Sequence, residues 1–443
     1  MRKVPAPRHP RDHVEGVHMR RGIAATALVA ALGVTLAACG GSDSGSNGGS
    51  KGSGELSGTV TWWDTSTVGS EDKVFKKIAQ DFTKKHPKVT VKYVNVPFGE
   101  AQNKFKNAAQ AGAGAPDVIR SEVAWTPDFA NLGYLAPLDG TPALKDQGDF
   151  LEQAAASTKY DGKTYAVPQV IDSMGVFYNK KIFKEAGVEV PKNIAELKTV
   201  SAKIKEKTGK TGLYLRGDDP YWFLSFLYGE GGDMVDADTK TVTFDNAAGV
   251  KAFQTVKDLV DSKAAITDAT NGWDNMQSAF KDGKVAMMIN GPWAVADTYA
   301  GKEFADKANL GIAPVPAGSG GQGAPQGGHN LAVYAGSKNL DASYAFVEYM
   351  TSVENQSKIT QELSLLPTRQ SAYLEKEVAN NPMIGFFKPV VDKAVERPWI
   401  PEGGSLFDPI KVQYTKVLTG QTTPETGAKA VGDSYRKLLK DWK

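Results

Sequence analysis

Aromatic rings and carboxylates recur together in this 443-residue sequence where the chain leaves stretches patterned as strands. Trp62 and Trp63 precede Asp64, Glu122 precedes Trp125, Asp172 stands just ahead of Gly175-Val176-Phe177-Tyr178-Asn179, and Asp219 precedes Tyr221 and Trp222. The last member is Trp293, which closes the stretch Lys284-Val285-Ala286-Met287-Met288-Ile289-Asn290-Gly291-Pro292-Trp293. That stretch reads as an apolar strand that stops at Asn-Gly and restarts at a proline, delivering a ring to the carboxyl end of a strand. Ligands of open α/β sheets bind at such ends. A carboxylate accepts two hydrogen bonds from neighbouring hydroxyls, and an aromatic ring covers the apolar C–H face of a pyranose, so the combination points to carbohydrate.

Each residue taken singly also has a plainer reading. Asp64 and Asp219 suit helix caps or turns, Glu122 and Asp172 suit solvated surface charges, and Trp222 and Trp293 suit core packing. Trp62 and Trp63 alternate, so one of the two is expected to face a core.

The elements that must carry these residues follow an α/β pattern. Residues 58–63 alternate as a strand, Val74, Phe75, Ile78 and Phe82 recur at helical spacing, and residues 89–93 alternate again, which makes a βαβ unit. A helix near 100–113, a strand at 115–119 leading into Arg120-Ser121-Glu122, and a hairpin turn at Asp161-Gly162-Lys163 come next. Residues 165–168 approach Asp172, and a strand is expected at 175–179. Helices over 180–186 and 194–207, stopped by Gly187 and Gly209, precede a strand at 211–215. Further helices fit 247–262, 274–281, 341–351 and 426–442. The fold class is therefore α/β, built on mainly parallel sheets. The glycine-rich segment 318–328 lacks the Gly-Lys-Ser/Thr ending of a phosphate loop and reads as a flexible surface crossing. Asp233 to Asp238 lacks the Gly and Glu of a calcium loop and reads as a hairpin turn.

Charge and composition exclude several classes. The net charge is +2, but residues 1–38 hold six basic side chains against Asp12 and Glu15, a surplus of four that leaves the rest at −2. A basic nucleic-acid footprint is absent, so no nucleic-acid partner is expected. The single cysteine, Cys39, excludes an internal disulfide or a Cys-based zinc site, and with only His86 and His329 beyond the leader no metal site is expected.

Residues 1–38 have the form of a secretory leader: Arg20-Arg21 precede a small, apolar run too short to span a bilayer. Its end, Leu36-Ala37-Ala38-Cys39-Gly40, resembles a lipobox, in which Cys39 becomes lipidated and anchors the chain to membrane lipid. The alternative is an ordinary secretory signal with a coincidental cysteine. Translation from Met19 and twin-arginine export both fit the leader. Residues 39–55 are a Gly/Ser-rich tether with a reach of roughly 20 Å.

Four motifs carry a resemblance to a known family. They are Asp117-Val118-Ile119 with Glu122; Val167-Pro168 through Asp172 to Phe177-Tyr178-Asn179-Lys180; Asp219-Pro220-Tyr221-Trp222; and Phe280 through Lys284-Val285-Ala286-Met287 to Asn290-Gly291-Pro292-Trp293. In this order they are similar to family 1 extracellular solute-binding proteins of ABC importers, and the chain resembles the maltose/maltodextrin branch. The resemblance implies a two-lobed, periplasmic-binding-protein-like fold: residues 56–171 with 328–373 form one lobe, residues 172–327 with 374–443 the other, and a hinge closes them on an oligosaccharide. It implies ligand contacts from Glu122 in the first lobe, Asp172 at the first crossing, and Asp219, Tyr221 and Trp222 in the second. Trp293 becomes the main stacking platform and Arg369 a hydroxyl donor, while Trp63 and Asp64 correspond by position alone. The chain departs from the maltose-binding pattern in having Glu122 without an Asp-Arg pair, and Ser405-Leu406-Phe407-Asp408 where a further stacking tryptophan is expected; Trp399 is placed to compensate.

The expected function is that of a monomeric, lipid-anchored, extracytoplasmic subunit. It captures maltodextrin-type sugar and hands it to the transmembrane subunits of an ABC permease, with no catalytic residue and no cofactor. Two rivals use the same residues. A secreted glycoside hydrolase needs two of the carboxylates on opposite sides of one bond, and a binder of a cationic solute would show strong salt dependence.

Overall fold

The computed structural model describes residues 55–443, so the leader, Cys39 and nearly all of the tether lie outside the described residues. Among the described residues no helix is long and apolar enough to cross a membrane.

Eleven strands form two sheets. They are β1 (Gly58–Asp64), β2 (Val89–Asn95), β3 (Val118–Glu122), β4 (Ala166–Asp172), β5 (Gly175–Asn179), β6 (Thr211–Arg216), β7 (Ala265–Asp268), β8 (Val285–Asn290), β9 (Leu310–Pro314), β10 (Gly327–Val333) and β11 (Leu366–Pro367). The first sheet has the order β11-β4-β10-β3-β1-β2 and the second β7-β6-β8-β5-β9. Every strand from β5 to β9 belongs to the second sheet, so the chain leaves the first sheet after Asp172 and returns to it at Gly327.

The sheets are mixed rather than mainly parallel. β2, β1 and β3 run parallel, as do β7, β6 and β8, but β10 lies antiparallel between β3 and β4, and β5 antiparallel between β8 and β9. The reason is the double passage of the chain. Only Ser173 and Met174 separate β4 from β5, so the chain steps directly from the first sheet into the second, and on its return β10 enters between β3 and β4 running the opposite way.

Alternation in β1 sends Val60 and Trp62 to one face, among Phe75, Ile78 and Phe82 of the helix Glu71–Lys85 and Phe346 of Leu340–Met350. Trp63 goes to the other, among Phe105, Ile119, Trp125 and Phe129. Both faces are covered, so both tryptophans are buried. Sequence punctuation sets the helix ends: Asn179 and Asn193 accept from the backbone N–H of Ile182 and Glu196, while Gly187 and Gly209 close the same two helices at φ 60° and 72°. Asp233 to Asp238 opens a short antiparallel hairpin of Val235–Asp236 with Thr241–Val242.

The glycine-rich segment does carry the chain from β9 to β10, but it is packed against the body instead of riding loosely over it. Residues Gly323 to Gly328 are buried, and Gly318, Gly320 and Gly323 approach the backbone of residues 228–231 so closely that an added Cβ would lie 2.4 Å from it. Glu230 fastens this crossing by accepting from Ser319 N (3.1 Å) and Ser319 Oγ (2.6 Å), from Thr255 Oγ1 (2.9 Å), and from Lys251 Nζ at 3.0 Å. Burial opposes ionisation of Glu230, but these donors outweigh it and hold the carboxyl below its ordinary value of 4.5. Its stabilisation is thus present above that value and lost as pH falls through the lowered one. Glu230→Ala is expected to cost about 1–3 kcal/mol and to speed amide exchange at Ser319 and Gly320, measured by hydrogen–deuterium exchange, with a smaller difference from the parent at pH 3.5 than at pH 7.

Candidate functional site

At the carboxyl end of the first sheet the charged groups face one another. Asp64 ends β1 with no exposed surface and accepts from Tyr93 Oη (2.6 Å), Ser66 N (3.3 Å) and Ser66 Oγ. Arg120, from β3, lies 3.9 Å from Asp64, donates through Nε to Gln169 (2.8 Å) and through Nη1 to Thr65 (3.4 Å), and covers the Phe75 ring. Asp64 thus accepts three hydrogen bonds from the chain itself and has no exposed surface, which favours its turn-forming role over direct ligand contact. Trp63 is corrected likewise: it is packed in the core of the first sheet with the Lys104 ammonium 5.2 Å over its ring, and offers no free face.

At the corresponding end of the second sheet the rings gather. Asp219 caps the helix Pro220–Gly229 by accepting from Tyr221 N (3.0 Å) and lies 3.3 Å from Arg216 Nη2, so its carboxylate serves as a cap and an ion-pair partner. Trp222 is buried; its indole N–H donates to the Ile289 carbonyl (2.7 Å), and the Arg216 guanidinium lies 4.2 Å over its ring. It supports the surface rather than forming it. Tyr221 and Trp293 are both half-buried; their ring centres are 6.4 Å apart, and Trp293 lies 6.3 Å from Trp222 at 81°. The reason for Asn290-Gly291 is steric. A Cβ on Gly291 would lie 2.1 Å from the Trp293 ring, so the ring folds back onto a bare α-carbon. Trp293 also packs against the cores of both sheets.

Between the two ends stand Glu122, Asp172 and a residue that sequence reasoning missed. Arg397 is buried, donates through Nε to the Gln326 carbonyl (2.8 Å) and pairs with Glu122 through Nη2; its guanidinium lies 5.5–5.7 Å from the rings of Tyr221, Trp399 and Phe407. The signal was available in principle: Arg397 is two residues from Trp399, and buried carboxylates require a cation. Glu122 also accepts from Ala124 N (2.9 Å). Asp172, 5% exposed, ends β4 beside Gly327, where an added Cβ would lie 2.2 Å from Asp172 Oδ1 and 2.4 Å from Tyr221 Oη. Burial, and after it the charge of Glu122, raises the Asp172 carboxyl to about 7 against the opposing pull of Arg397 and Arg120. His329, paired in register with Glu122, is kept neutral by burial and by both arginines.

Arg369 stands apart from this group. It is buried, donates to the carbonyls of Thr351 (2.7 Å), Asp146 (3.1 Å) and Lys145 (3.1 Å), and lies 4.1 Å over the Phe150 ring. Those bonds staple the chain around 145–150 to residues 351 and 369, which replaces the expected role of hydroxyl donor. The residues brought together are thus Glu122, Asp172, Tyr221, Trp222 and Trp293, joined by Arg397 and Trp399. Among the described residues no group of His, Cys, Asp and Glu side chains is arranged to hold a metal ion.

Comparison with known proteins bears on what such an arrangement does. A family described as bacterial extracellular solute-binding protein matches residues 65–357. The diacetylchitobiose-binding protein of Streptomyces coelicolor is 30% identical over 431 residues, covering 95% of this chain and 99% of its own. The maltotriose-binding protein of Pyrococcus abyssi is 27% identical over 369 residues, 82% of this chain and 78% of its own. Among solved structures, the GacH receptor of Streptomyces glaucescens, crystallised unliganded and with acarbose, is 67% identical with a TM-score of 0.86, covering 88% of this chain and all of that one.

Two outcomes follow from the geometry. Arg369→Met should lower stability by roughly 2–4 kcal/mol, because three carbonyls lose their donor, while leaving saccharide affinity within about twofold; thermal unfolding and calorimetry read the two separately. For Asp172, a folded-state value raised from 3.8 to about 7 means that stability is fully present below 3.8 and is lost as pH rises through 7. Asp172→Asn should therefore stabilise the protein by on the order of 1–3 kcal/mol at pH 8 and by little at pH 4, as read from denaturant unfolding at the two pH values.

Proposed function

Since the chain belongs to the bacterial extracellular solute-binding protein family, we propose that it is the sugar-capturing subunit of an ABC importer, taking maltodextrin-type oligosaccharides and related pseudo-sugars between two lobes. The observation that carries this reading is the pairing of the half-buried rings Tyr221 and Trp293 from the second sheet with the carboxylates Glu122 and Asp172 at the ends of first-sheet strands. Rings cover the C–H faces of a pyranose while the carboxylates accept its hydroxyls. The 67% identity to a receptor crystallised with acarbose supports the same class of ligand.

In this reading the lobes are residues 56–171 with 328–373 and residues 172–327 with 374–443, a division that follows the membership of the two sheets. Trp293 is the stacking platform, Tyr221 and Asp172 bind hydroxyls beside it, Glu122 contributes the lone pairs left after Arg397 and Ala124, and Trp399 lies within reach as a further ring. Sugar touches both lobes only when they close, so it shifts the population toward the closed form by its differential affinity. The closed monomer is then presented to the permease outside the cytoplasmic membrane, tethered through lipidated Cys39. No bond is cleaved. A hydrolase would use a carboxyl near neutrality such as Asp172 as acid, but it would also need a free base or nucleophile opposite, and Glu122 is engaged by Arg397.

Tryptophan-fluorescence and calorimetric titration of the leader-free protein against maltose, maltotriose, maltotetraose and acarbose tests the proposal. Oligosaccharide binding without release of shorter sugars is expected. Trp293→Ala should weaken it by roughly ten- to a hundredfold, about 1.4–2.7 kcal/mol, and Gly291→Ala should act in the same direction by dislodging the ring, whereas Trp442→Ala, which removes a tryptophan packed on the core of the second sheet, should not. Equal affinities of the Trp293 and Trp442 variants, or hydrolysis of the maltodextrins, would overturn it.

A further inference from the structure

Arg397 ties the first sheet to the chain crossing through an ion pair, where Trp293 touches both sheets only by apolar packing. Its partner Glu122 ends a strand of the first sheet. Its own segment runs along the glycine-rich crossing that leaves the second sheet: Val395 N donates to the Ala324 carbonyl, Gln326 N to the Val395 carbonyl, and Arg397 Nε to the Gln326 carbonyl, all at 2.8 Å. The rings around its guanidinium come from the helix that opens with Tyr221 and from the carboxyl-terminal stretch of Trp399 and Phe407, which packs on the core of the second sheet. The crossings themselves are cross-linked where Ser173 Oγ donates to the Pro325 carbonyl at 2.9 Å. The cation is thus anchored on the second-sheet side and on the hinge, while its counter-ion is anchored on the first sheet.

We propose that Arg397 is a positioning residue for ligand capture: its pair with Glu122 clasps the two lobes, so that ligand affinity depends on Arg397 through the open–closed equilibrium as well as through the contacts of the site. The inference rests on the two-lobed sugar-capture reading above. A clasp made of buried charges is suited to this task. In the closed form each charge is neutralised by the other, whereas opening separates them and returns the carboxylate to water, so that the pair biases closure without making it permanent. The planar guanidinium also matters, since it pairs with a carboxylate and lies among aromatic rings at once, which an ammonium does not reproduce.

The test uses the leader-free protein as parent and as Arg397→Lys, Arg397→Gln, Glu122→Gln and the double variant Glu122→Gln/Arg397→Gln, with thermal unfolding to confirm that each is folded. Small-angle X-ray scattering without ligand reads the clasp directly. The radius of gyration should be larger in the three glutamine variants than in the parent, with Arg397→Lys intermediate. Maltotetraose affinity should fall at least tenfold in each single glutamine variant, and the double variant should fall little further. Unchanged ligand-free scattering in variants that fold, or affinity losses that simply add in the double variant, would overturn the proposal. A parent that binds no oligosaccharide would overturn the sugar-capture reading while the ligand-free scattering still decides the clasp. Should Arg397→Gln fail to fold, Glu122→Gln and Arg397→Lys carry the same comparison.

Discussion

Two arginines must serve four carboxylates that the fold takes almost entirely out of water: Asp64, Glu71, Glu122 and Asp172 against Arg120 and Arg397. A buried ion without a partner costs several kcal/mol, so the disposition of these six groups constrains everything around them. Arg120 is placed at the Asp64 end, where Ser66, Tyr93, Gln169 and Thr65 complete the hydrogen bonding. Arg397 takes Glu122. Asp172 is left without an ion pair among the described residues and moves toward neutrality, and Glu71 shifts in the same direction by burial. A site that holds one carboxyl near its midpoint at physiological pH can accept from a hydroxyl or donate to one, which suits a ligand whose groups do both.

The same constraint explains why the site lies at the chain crossings. A strand end exposes backbone groups and admits side chains from several elements, and here the ends of β3 and β4 contribute Glu122 and Asp172, the segments after β6 and β8 contribute Tyr221 and Trp293, and the carboxyl-terminal stretch contributes Arg397 and Trp399. Gly327 makes the convergence of Asp172 and Tyr221 possible, since any side chain there would occupy the space both need. The second passage is held by Glu230 on one side and by Arg397 on the other, so the hinge is itself part of the hydrogen-bonded structure.

Much of the fold was legible in the sequence because short-range rules govern it. The asparagine caps and glycine stops of the helices at 180–186 and 194–208 are local, and so is the hairpin near 235–242. Sheet direction was less legible, because the antiparallel insertion of β10 and β5 depends on where the chain returns after more than a hundred residues. Alternation in β1 correctly separates Trp62 from Trp63, yet it cannot say that helices cover both faces. For the site, residue type told which chemistry was available but not which groups the chain would use up. Asp64, Asp219 and Arg369 have the right donors or acceptors and are consumed by Tyr93 and Ser66, by a helix end, and by three carbonyls. Arg397 was missed because its partner is 275 residues away: Trp399 two residues on marks the segment, but nothing local says which carboxylate the arginine meets.

The ring surface gains its use from rigidity. Trp222 cannot turn without losing the Ile289 carbonyl and the Arg216 guanidinium above it, and Arg216 is in turn held by Asp218 at 3.0 Å and by Asp219. Trp293 is backed by Trp222 and folded onto Gly291, so its half-exposed face is fixed before any ligand arrives. Ordering a large side chain on binding costs about 0.5–1.5 kcal/mol, and a ring already immobilised by its own fold avoids that loss. Tyr221 follows the same logic: the helix start capped by Asp219 sets its backbone, and its hydroxyl donates to the Pro325 carbonyl of the crossing at 3.3 Å. Asp219 and Trp222 thus serve as the groups that hold Tyr221 and Trp293 in place, because a weak stacking interaction contributes to affinity only when the platform has no other place to go.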